Sequence, residues 1–325
     1  MNVMFYEVFK EEEAALRKAL PDGIKAGFTQ ETLQAFGPEK PPAKLLCVRT
    51  QSRVPAAWAG SIDGVLTRSA GYDHLLHLKA EGKNGPSLGY LPEYCSTAVA
   101  EYALLAVLSL FRRLQSQVKQ FEKFDRSNLT GRECRDKVLF VLGVGRIGSE
   151  VVRLGRGIGM NVKGFDRLRA FAGLDYVALD EGLSQSDAVT CCLPLTAQTQ
   201  GLLDYEKLKK IKRGALFVNV SRAEIAPVPG LKKCLEEGLL GGLALDVYES
   251  EGALADYLRH GHGRLDASGR AVWDLRHDSR VLLTPHNAFN TEEALYRKVR
   301  QSIDSALMFL EKKKFPWPLP EGPEA

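Results

Sequence analysis

The chain has 325 residues, 45% of them apolar and 26% charged, with a formal net charge of +4. That length predicts about two domains, each able to build its own core, and the composition is that of an ordinary globular protein rather than a fibrous or low-complexity one. Lys and Arg are scattered, and the densest run, Lys312-Lys313-Lys314, reads as a solvated helix face, so no nucleic-acid partner is expected.

Val3 to Phe9 reads as a strand, and Lys10 to Leu20 as a charged helix closed by Pro21-Asp22-Gly23. Leu45 to Arg49 and Val65 to Arg68 read as further short strands separated by helical and loop material. This alternation predicts a small parallel α/β unit, and it lacks a phosphate-binding turn, which makes it a candidate substrate domain. Thr97 to Leu114 follows, apolar nearly all round, with only Glu101 and Ser109 interrupting before Arg112-Arg113. A helix apolar on every side is expected to be buried on every side, between domains, against a second subunit, or both; a homodimer is expected.

Val138 to Leu142 reads as a buried strand with no polar face. Gly143, Gly145 and Gly148 follow, and then the sequence switches to helical periodicity. Gly143 would permit a tight turn, Gly145 would let backbone approach a pyrophosphate, and Gly148 would let the helix pack on the strand. The positive end of that helix would face the phosphates. A second strand, Val162 to Phe165, ends in Asp166, eighteen residues past Gly148. A carboxylate at roughly 20 residues is what a ribose diol requires, so NAD is the expected cofactor. Asp166 would repel a 2′-phosphate, while the adjacent Arg167 softens that preference.

From Cys134 onward strands and helices alternate, with strands at Val138–Leu142, Val162–Phe165, Tyr176–Leu179, Ala188–Leu193, Ala215–Val220, Gly242–Leu245 and Val281–Thr284. Helices are expected around 147–159, 204–212 and 230–239, giving a doubly wound parallel sheet whose ligands bind outside the carboxyl ends of its strands. Gly252 to Asp278 breaks the pattern and reads as a long loop around His260-Gly-His-Gly-Arg264 and Ala267-Ser-Gly-Arg270. Thr291 to Lys314 reads as a helix with Thr291 as N-cap. The proline-rich tail from Phe315 to Pro323 is expected to cross back to the N-terminal unit.

The strand ends are chemically loaded. Val218-Asn219-Val220-Ser221-Arg222 ends in a guanidinium able to take a carboxylate through two parallel hydrogen bonds. Asp246, Glu249 and Glu251 cluster after the next strand, where one acid would orient a histidine and favour its protonated form. His286 follows Pro285 at the last strand and is the best acid/base candidate; His260 and His262 are not read as metal ligands. Together with a nicotinamide these groups define a reaction. Arg222 holds a carboxylate and polarises the neighbouring carbonyl, His286 delivers a proton to its oxygen, and Glu251 aims the imidazole. No metal is required, because cationic side chains stabilise the developing alkoxide.

Arg68-Ser-Ala-Gly71-Tyr-Asp73-His74, Thr97-Ala-Val-Ala-Glu101, Gly143-Val-Gly-Arg-Ile-Gly148, Gly164-Phe-Asp166, Leu193-Pro194-Leu-Thr196, Asn219-Val-Ser-Arg222, Leu245-Asp246-Val-Tyr-Glu249 and Thr284-Pro-His286-Asn-Ala-Phe289 stand in that order. In this the chain resembles the D-2-hydroxyacid dehydrogenase family, in its D-lactate dehydrogenase-like branch, over nearly its whole length. The resemblance implies two Rossmann-like doubly wound parallel-sheet domains with an interdomain active-site cleft. Residues 1–98 plus 290–325 would form a flavodoxin-like substrate domain and 99–289 the NAD-binding domain. It implies Arg222, Glu251 and His286 as catalytic residues, the glutamate lying five residues after Asp246 rather than at Glu249. Cofactor contacts would come from Gly143, Gly145, Arg146, Ile147, Gly148, Asp166, Arg167, Leu193, Pro194, Thr199, Val220, Ser221, Asp246 and His286. Ala70 and Gly71 would offer backbone N–H groups to the substrate carboxylate, beside Arg222, and Tyr94 would line the pocket. Three positions depart from the family pattern: Ala223 for a glycine after the arginine, Pro227 for an acidic helix cap, and Ser96 for a proline.

The reading that follows is NAD-dependent hydride transfer between NADH and a small 2-oxo acid, pyruvate first, giving a D-2-hydroxy acid. Two alternatives stand beside it: an NAD(H)-sensing co-repressor-like binding protein, and the same chemistry on a bulkier 2-oxo acid or on phosphite. Six cysteines at 47, 95, 134, 191, 192 and 234 show no C-x-x-C spacing, which suits a reducing compartment. The start of the chain shows no secretory pattern, and Ala103 to Phe111 is far short of the roughly 20 apolar residues of a membrane span. A cytoplasmic protein with no membrane partner is expected.

Overall fold

Short apolar runs alternating with half-apolar helices assemble here into two parallel sheets. The computed structural model describes residues 1–79 and 85–320. It forms two compact units, Met1–Cys95 with Asn290–Ala325, and Ser96–Phe289.

In the first unit the sheet order is β2-β1-β3-β4-β5, formed by β1 (Val3–Phe5), β2 (Ala26–Phe28), β3 (Leu45–Val48), β4 (Gly64–Thr67) and β5 (Ser87–Gly89). Helices α1 (Lys10–Ala19), α2 (Leu33–Phe36) and α3 (Leu76–Lys79) connect them. Tyr6, Leu46, Val48, Val54, Trp58, Leu75 and Leu319 build one face of the core. The predicted strand Val3 to Phe9 stops early because Glu7 turns the backbone with φ +53. Its carboxylate accepts the N–H groups of Arg49 (2.9 Å), Gln51 (3.2 Å) and Ser52 (3.1 Å).

The second unit opens with α4 (Ser96–Phe111) and α5 (Leu114–Phe121), and its seven-stranded sheet has the order β12-β11-β10-β9-β6-β7-β8. The strands are β6 (Val138–Leu142), β7 (Asn161–Phe165), β8 (Asp175–Tyr176), β9 (Ala188–Cys191), β10 (Ala215–Asn219), β11 (Leu240–Leu245) and β12 (Val281–Leu283), all parallel. Helices α6 (Arg146–Gly157), α7 (Leu179–Gln185), α8 (Tyr205–Leu208), α9 (Val228–Glu236), α10 (Glu251–His260) and α11 (Ala267–Leu275) intervene. The chain order reverses between β6 and its neighbour β9, which is where a doubly wound sheet opens a crevice for ligand. Phe140, Leu142, Val189, Cys191, Phe217, Leu243 and Leu245 form the core.

Two expectations are corrected. The segment from Gly252 to Asp278 is not a loop but holds α10 and α11. Leu254 and then Ala271, Val272 and Leu275 are buried at helical spacing, Gly261 ends α10 with φ +70, and Asp266 caps α11 by accepting the Gly269 N–H at 2.7 Å. Nor is α4 buried all round: Ala98 to Ala100, Ala103, Leu104, Ala106 and Val107 are buried, while Leu105 is 56% exposed.

The C-terminal helix α12 (Glu292–Lys312) belongs to the first unit, and its N-cap Thr291 accepts the Ala294 N–H at 3.2 Å. The tail then lies along β5, where the Tyr90 N–H donates to the Trp317 carbonyl (3.0 Å) and the Leu319 N–H to the Leu88 carbonyl (3.0 Å). Its last residues, 321–325, lie outside the described residues.

Candidate functional site

Six strands of the larger sheet end on one line. Phe165, Leu142, Cys191, Asn219, Leu245 and Leu283 are successive cross-strand partners on β7, β6, β9, β10, β11 and β12. Every candidate group of this unit lies just past that line.

After β6, Gly143 turns with φ +86, and a Cβ there would meet the Leu193 nitrogen at 2.7 Å. A Cβ on Gly148 would lie 1.9 Å from the Gly143 carbonyl oxygen, so the helix packs directly on the turn. A Cβ on Gly145, the N-cap of α6, would meet nothing within 4 Å beyond the turn's own backbone. Gly145 and Arg146 are exposed and Ile147 is half-buried. This open helix N-terminus fits a pyrophosphate, which the N–H groups and the positive end of the helix would hold.

After β7, Asp166 accepts the Val144 N–H through Oδ2 (2.6 Å) and the Leu168 N–H through Oδ1 (2.8 Å). Each carboxylate oxygen retains acceptor capacity for a ribose hydroxyl. Arg167 is exposed beside it. After β9, Leu193 is buried and Pro194 exposed, and the Thr199 hydroxyl donates to the Pro194 carbonyl at 2.6 Å and closes the turn.

After β10, fully buried Asn219 shapes the loop that carries Arg222. Its Oδ1 accepts the Ser221 N–H (3.0 Å) and hydroxyl (2.9 Å), and its Nδ2 donates to the Arg222 carbonyl (2.9 Å). Val220 and Ser221 are buried, and half-buried Arg222 donates from Nη1 to the Ser221 carbonyl at 2.8 Å. Ala223 is buried and opens the short turn Ala223–Ile225, while Arg222 itself is ordinary extended backbone at φ −139. Pro227 is the N-cap of α9 and offers no side-chain cap.

The acids after β11 divide their work. Asp246, 2% exposed, accepts from the Thr284 hydroxyl (2.6 Å), the Asn287 N–H (2.8 Å) and the Ala288 N–H (2.9 Å). Burial pushes its carboxyl above the usual aspartate range, against the opposing hydrogen bonds and the His286 charge. Glu249 bonds the Ser268 hydroxyl. Glu251, in the first turn of α10, has its Oε2 at 2.7 Å from His286 Nδ1. The choice between the two glutamates thus has a geometric basis. His286 itself has φ +51, a conformation a side chain adopts only under constraint. Asp246 supplies that constraint by holding the next two backbone N–H groups.

Two contributors received no role from the sequence: Tyr102, outside the quoted motifs, whose hydroxyl meets Thr284 Oγ1 at 2.5 Å, and Tyr248, inside the Leu245–Glu249 motif, whose hydroxyl donates to the carbonyls of Leu245 (3.0 Å) and Thr284 (2.8 Å). They brace the β11 and β12 ends.

In the first unit, Ala70 and Gly71 follow β4, half-buried, and the Ser69 hydroxyl donates to the Gly71 carbonyl at 2.8 Å. Tyr94 is buried, which raises its hydroxyl pKa, and its carbonyl accepts from Arg297 Nε at 2.9 Å.

Known proteins resemble this chain in sequence and in fold. Residues 102–288 match the sequence model of a family described as D-isomer specific 2-hydroxyacid dehydrogenase, NAD binding domain. The chain is 33% identical over 254 residues to a D-lactate dehydrogenase of Treponema pallidum, covering 75% of this chain and 74% of that protein. It is 31% identical over 254 residues to a D-specific alpha-keto acid dehydrogenase of Enterococcus faecium, covering 77% of this chain and 76% of that protein. A solved D-lactate dehydrogenase from Aquifex aeolicus, complexed with NAD and lactic acid, superposes with a TM-score of 0.84 at 26% identity, over 97% of this chain and 99% of that one.

Proposed function

The chain belongs to the D-2-hydroxyacid dehydrogenase family, NAD-dependent oxidoreductases of 2-oxo and 2-hydroxy acids, and from that premise we propose which of its residues do the work and on what. The substrate is a small 2-oxo acid, pyruvate first, reduced to its D-2-hydroxy acid. The bound nicotinamide supplies or receives hydride.

Everything else falls to the protein. Gly145 and the start of α6 receive the pyrophosphate, and Asp166 the adenosine ribose. Arg222 pairs its guanidinium with the substrate carboxylate and polarises the adjacent carbonyl, while the backbone N–H groups at Ala70 and Gly71 share that carboxylate. His286, tied through Nδ1 to Glu251, has Nε2 left to give a proton to the carbonyl oxygen, or to take one from the hydroxyl in reverse. Asp246 keeps the His286 backbone in its left-handed conformation and leaves acceptor capacity for the nicotinamide carboxamide. The observation that carries this reading is the Glu251–His286 pair standing past the same strand line as Arg222 and the glycine turn.

Relatives named for lactate and for alpha-keto acids both occur, so chain length is the open variable. The test is NADH oxidation with pyruvate, branched and aromatic 2-oxo acids, and NAD reduction with phosphite. Turnover highest with pyruvate supports the proposal. Tight NADH binding without turnover on any of them replaces it with a dinucleotide-sensing protein. We further propose a homodimer, supported by exposed Leu105, Leu114, Val118, Phe121 and Phe124 on and after α4. The cysteines Cys47, Cys95, Cys134, Cys191, Cys192 and Cys234 are free, which supports a reducing, cytoplasmic setting. Among the described residues no helix is long and apolar enough to cross a membrane.

A further inference from the structure

The first unit holds a sealed ionic cluster that the chemistry above does not use. Glu12 on α1, Arg68 at the end of β4 and Lys298 on α12 are each 0% exposed. Glu12 Oε1 receives both cations: it bonds Arg68 Nη1 and lies 3.0 Å from Lys298 Nζ. Arg68 Nη2 also donates to the carbonyls of Tyr6 (2.8 Å) and Glu7 (3.2 Å). Lys298 Nζ further sits 5.1 Å from the centre of the Phe9 ring.

A buried cluster of this kind contributes little net stability, because desolvation offsets the attraction and apolar residues of similar volume would serve as well. Its geometric effect is larger. Arg68 stands immediately before the turn that carries Ala70 and Gly71, and its side chain is fixed from three directions. The same turn is drawn inward by the Ser69 hydroxyl on the Gly71 carbonyl (2.8 Å), and its Ser69 carbonyl accepts the Leu91 N–H (3.1 Å). On α12 the residue before Lys298 is Arg297, which holds the Tyr94 carbonyl at 2.9 Å. Two consecutive residues of one helix thus fasten both segments assigned to the substrate, one directly and one through Glu12 and Arg68.

We propose that Glu12 and Lys298 are positioning residues that, acting through Arg68, set where the Ala70 and Gly71 N–H groups stand and so set affinity for the substrate carboxylate. This rests on the assignment of those N–H groups to the carboxylate made above. Loss of such an interaction weakens ground-state and transition-state binding alike, which raises KM with kcat unchanged.

The experiment compares full-length wild type, Glu12→Gln and Lys298→Met, each well below its unfolding midpoint, for KM and kcat with pyruvate and for NADH Kd. Glu12→Gln removes the carboxylate that stands between Arg68 and Lys298 and is expected to raise KM about tenfold, a loss of about 1.4 kcal/mol of binding, with kcat and NADH Kd within twofold. Lys298→Met keeps the Glu12–Arg68 pair and is expected to raise KM about threefold; it carries the test alone if Glu12→Gln does not fold. Unchanged KM in a folded variant, or a fall in kcat and NADH affinity alongside KM, overturns the proposal. Wild type without turnover on any 2-oxo acid overturns the underlying assignment and this inference together. A wild type that turns over beside variants of unaltered KM overturns this inference only.

Discussion

Glu251 and Glu12 both stand in the first turn of a helix, where the N-terminal dipole favours a carboxylate, and both meet basic side chains from distant sequence. They differ in burial. Glu251 and His286 have side chains 20% exposed, while Glu12, Arg68 and Lys298 have none. Only the first pair can exchange protons with a ligand; the second is closed to solvent and can act only by where it holds the backbone. Similar chemistry therefore serves reaction in one unit and geometry in the other.

The largest way to break that comparison is at the reacting group. His286→Ala is expected to lower turnover about 10²- to 10⁴-fold, the range for a lost general acid, with NADH Kd within twofold and the thermal midpoint little changed. Retained turnover removes His286 from its role. Glu12 is expected to leave kcat alone and to act on stability as well as on KM. Burial raises its carboxyl pKa, but the charges of Arg68 and Lys298 outweigh that and hold it below the usual glutamate range. Its folded pKa being the lower one, its contribution is present above the unfolded value and is lost as pH falls through the folded value. Removing one partner of such a buried cluster costs about 3–5 kcal/mol, so Glu12→Gln should lower the neutral-pH melting temperature and flatten its acid-side decline. An unaltered acid-side profile by calorimetry counts against this. Asp166 is the intermediate case, half-buried with both oxygens on backbone N–H groups. Asp166→Ala should narrow the preference for NAD over NADP several-fold, about 1 kcal/mol, read as the ratio of kcat/KM values. A constant ratio would dissociate Asp166 from cofactor choice.

The reactive end of this contrast was legible in the sequence and the sealed end was not. β6 and its glycine turn leave marks because a fully buried strand is a continuous apolar run and because a positive φ at Gly143 and close packing at Gly148 exclude side chains. Arg222 and His286 stand out because they interrupt apolar strands at their carboxyl ends. Glu12, Arg68 and Lys298 read as solvated charges, since nothing local to Glu11-Glu12-Glu13 says that the middle one faces inward toward residues 56 and more positions away. The two helices between Glu251 and Leu275 were hidden by the glycines at 261 and 263, which end one helix rather than dissolve both. Asn219 and Thr284 stand inside quoted motifs, but their roles were not legible there, because they act by bonding the backbone and the acid that hold the reactive groups.

The crossing of the C-terminal tail has a consequence for how the molecule avoids its own kind. Pro316, Pro318 and Pro320 alternate with Trp317 and Leu319 along the outer side of β5, where Gly89 pairs antiparallel with Pro318. Proline has no N–H to offer a further strand. The stretch that finishes the sheet is thus also one on which no neighbouring chain can continue it, and removing the residues from Phe315 onward would leave an open border prone to aggregation.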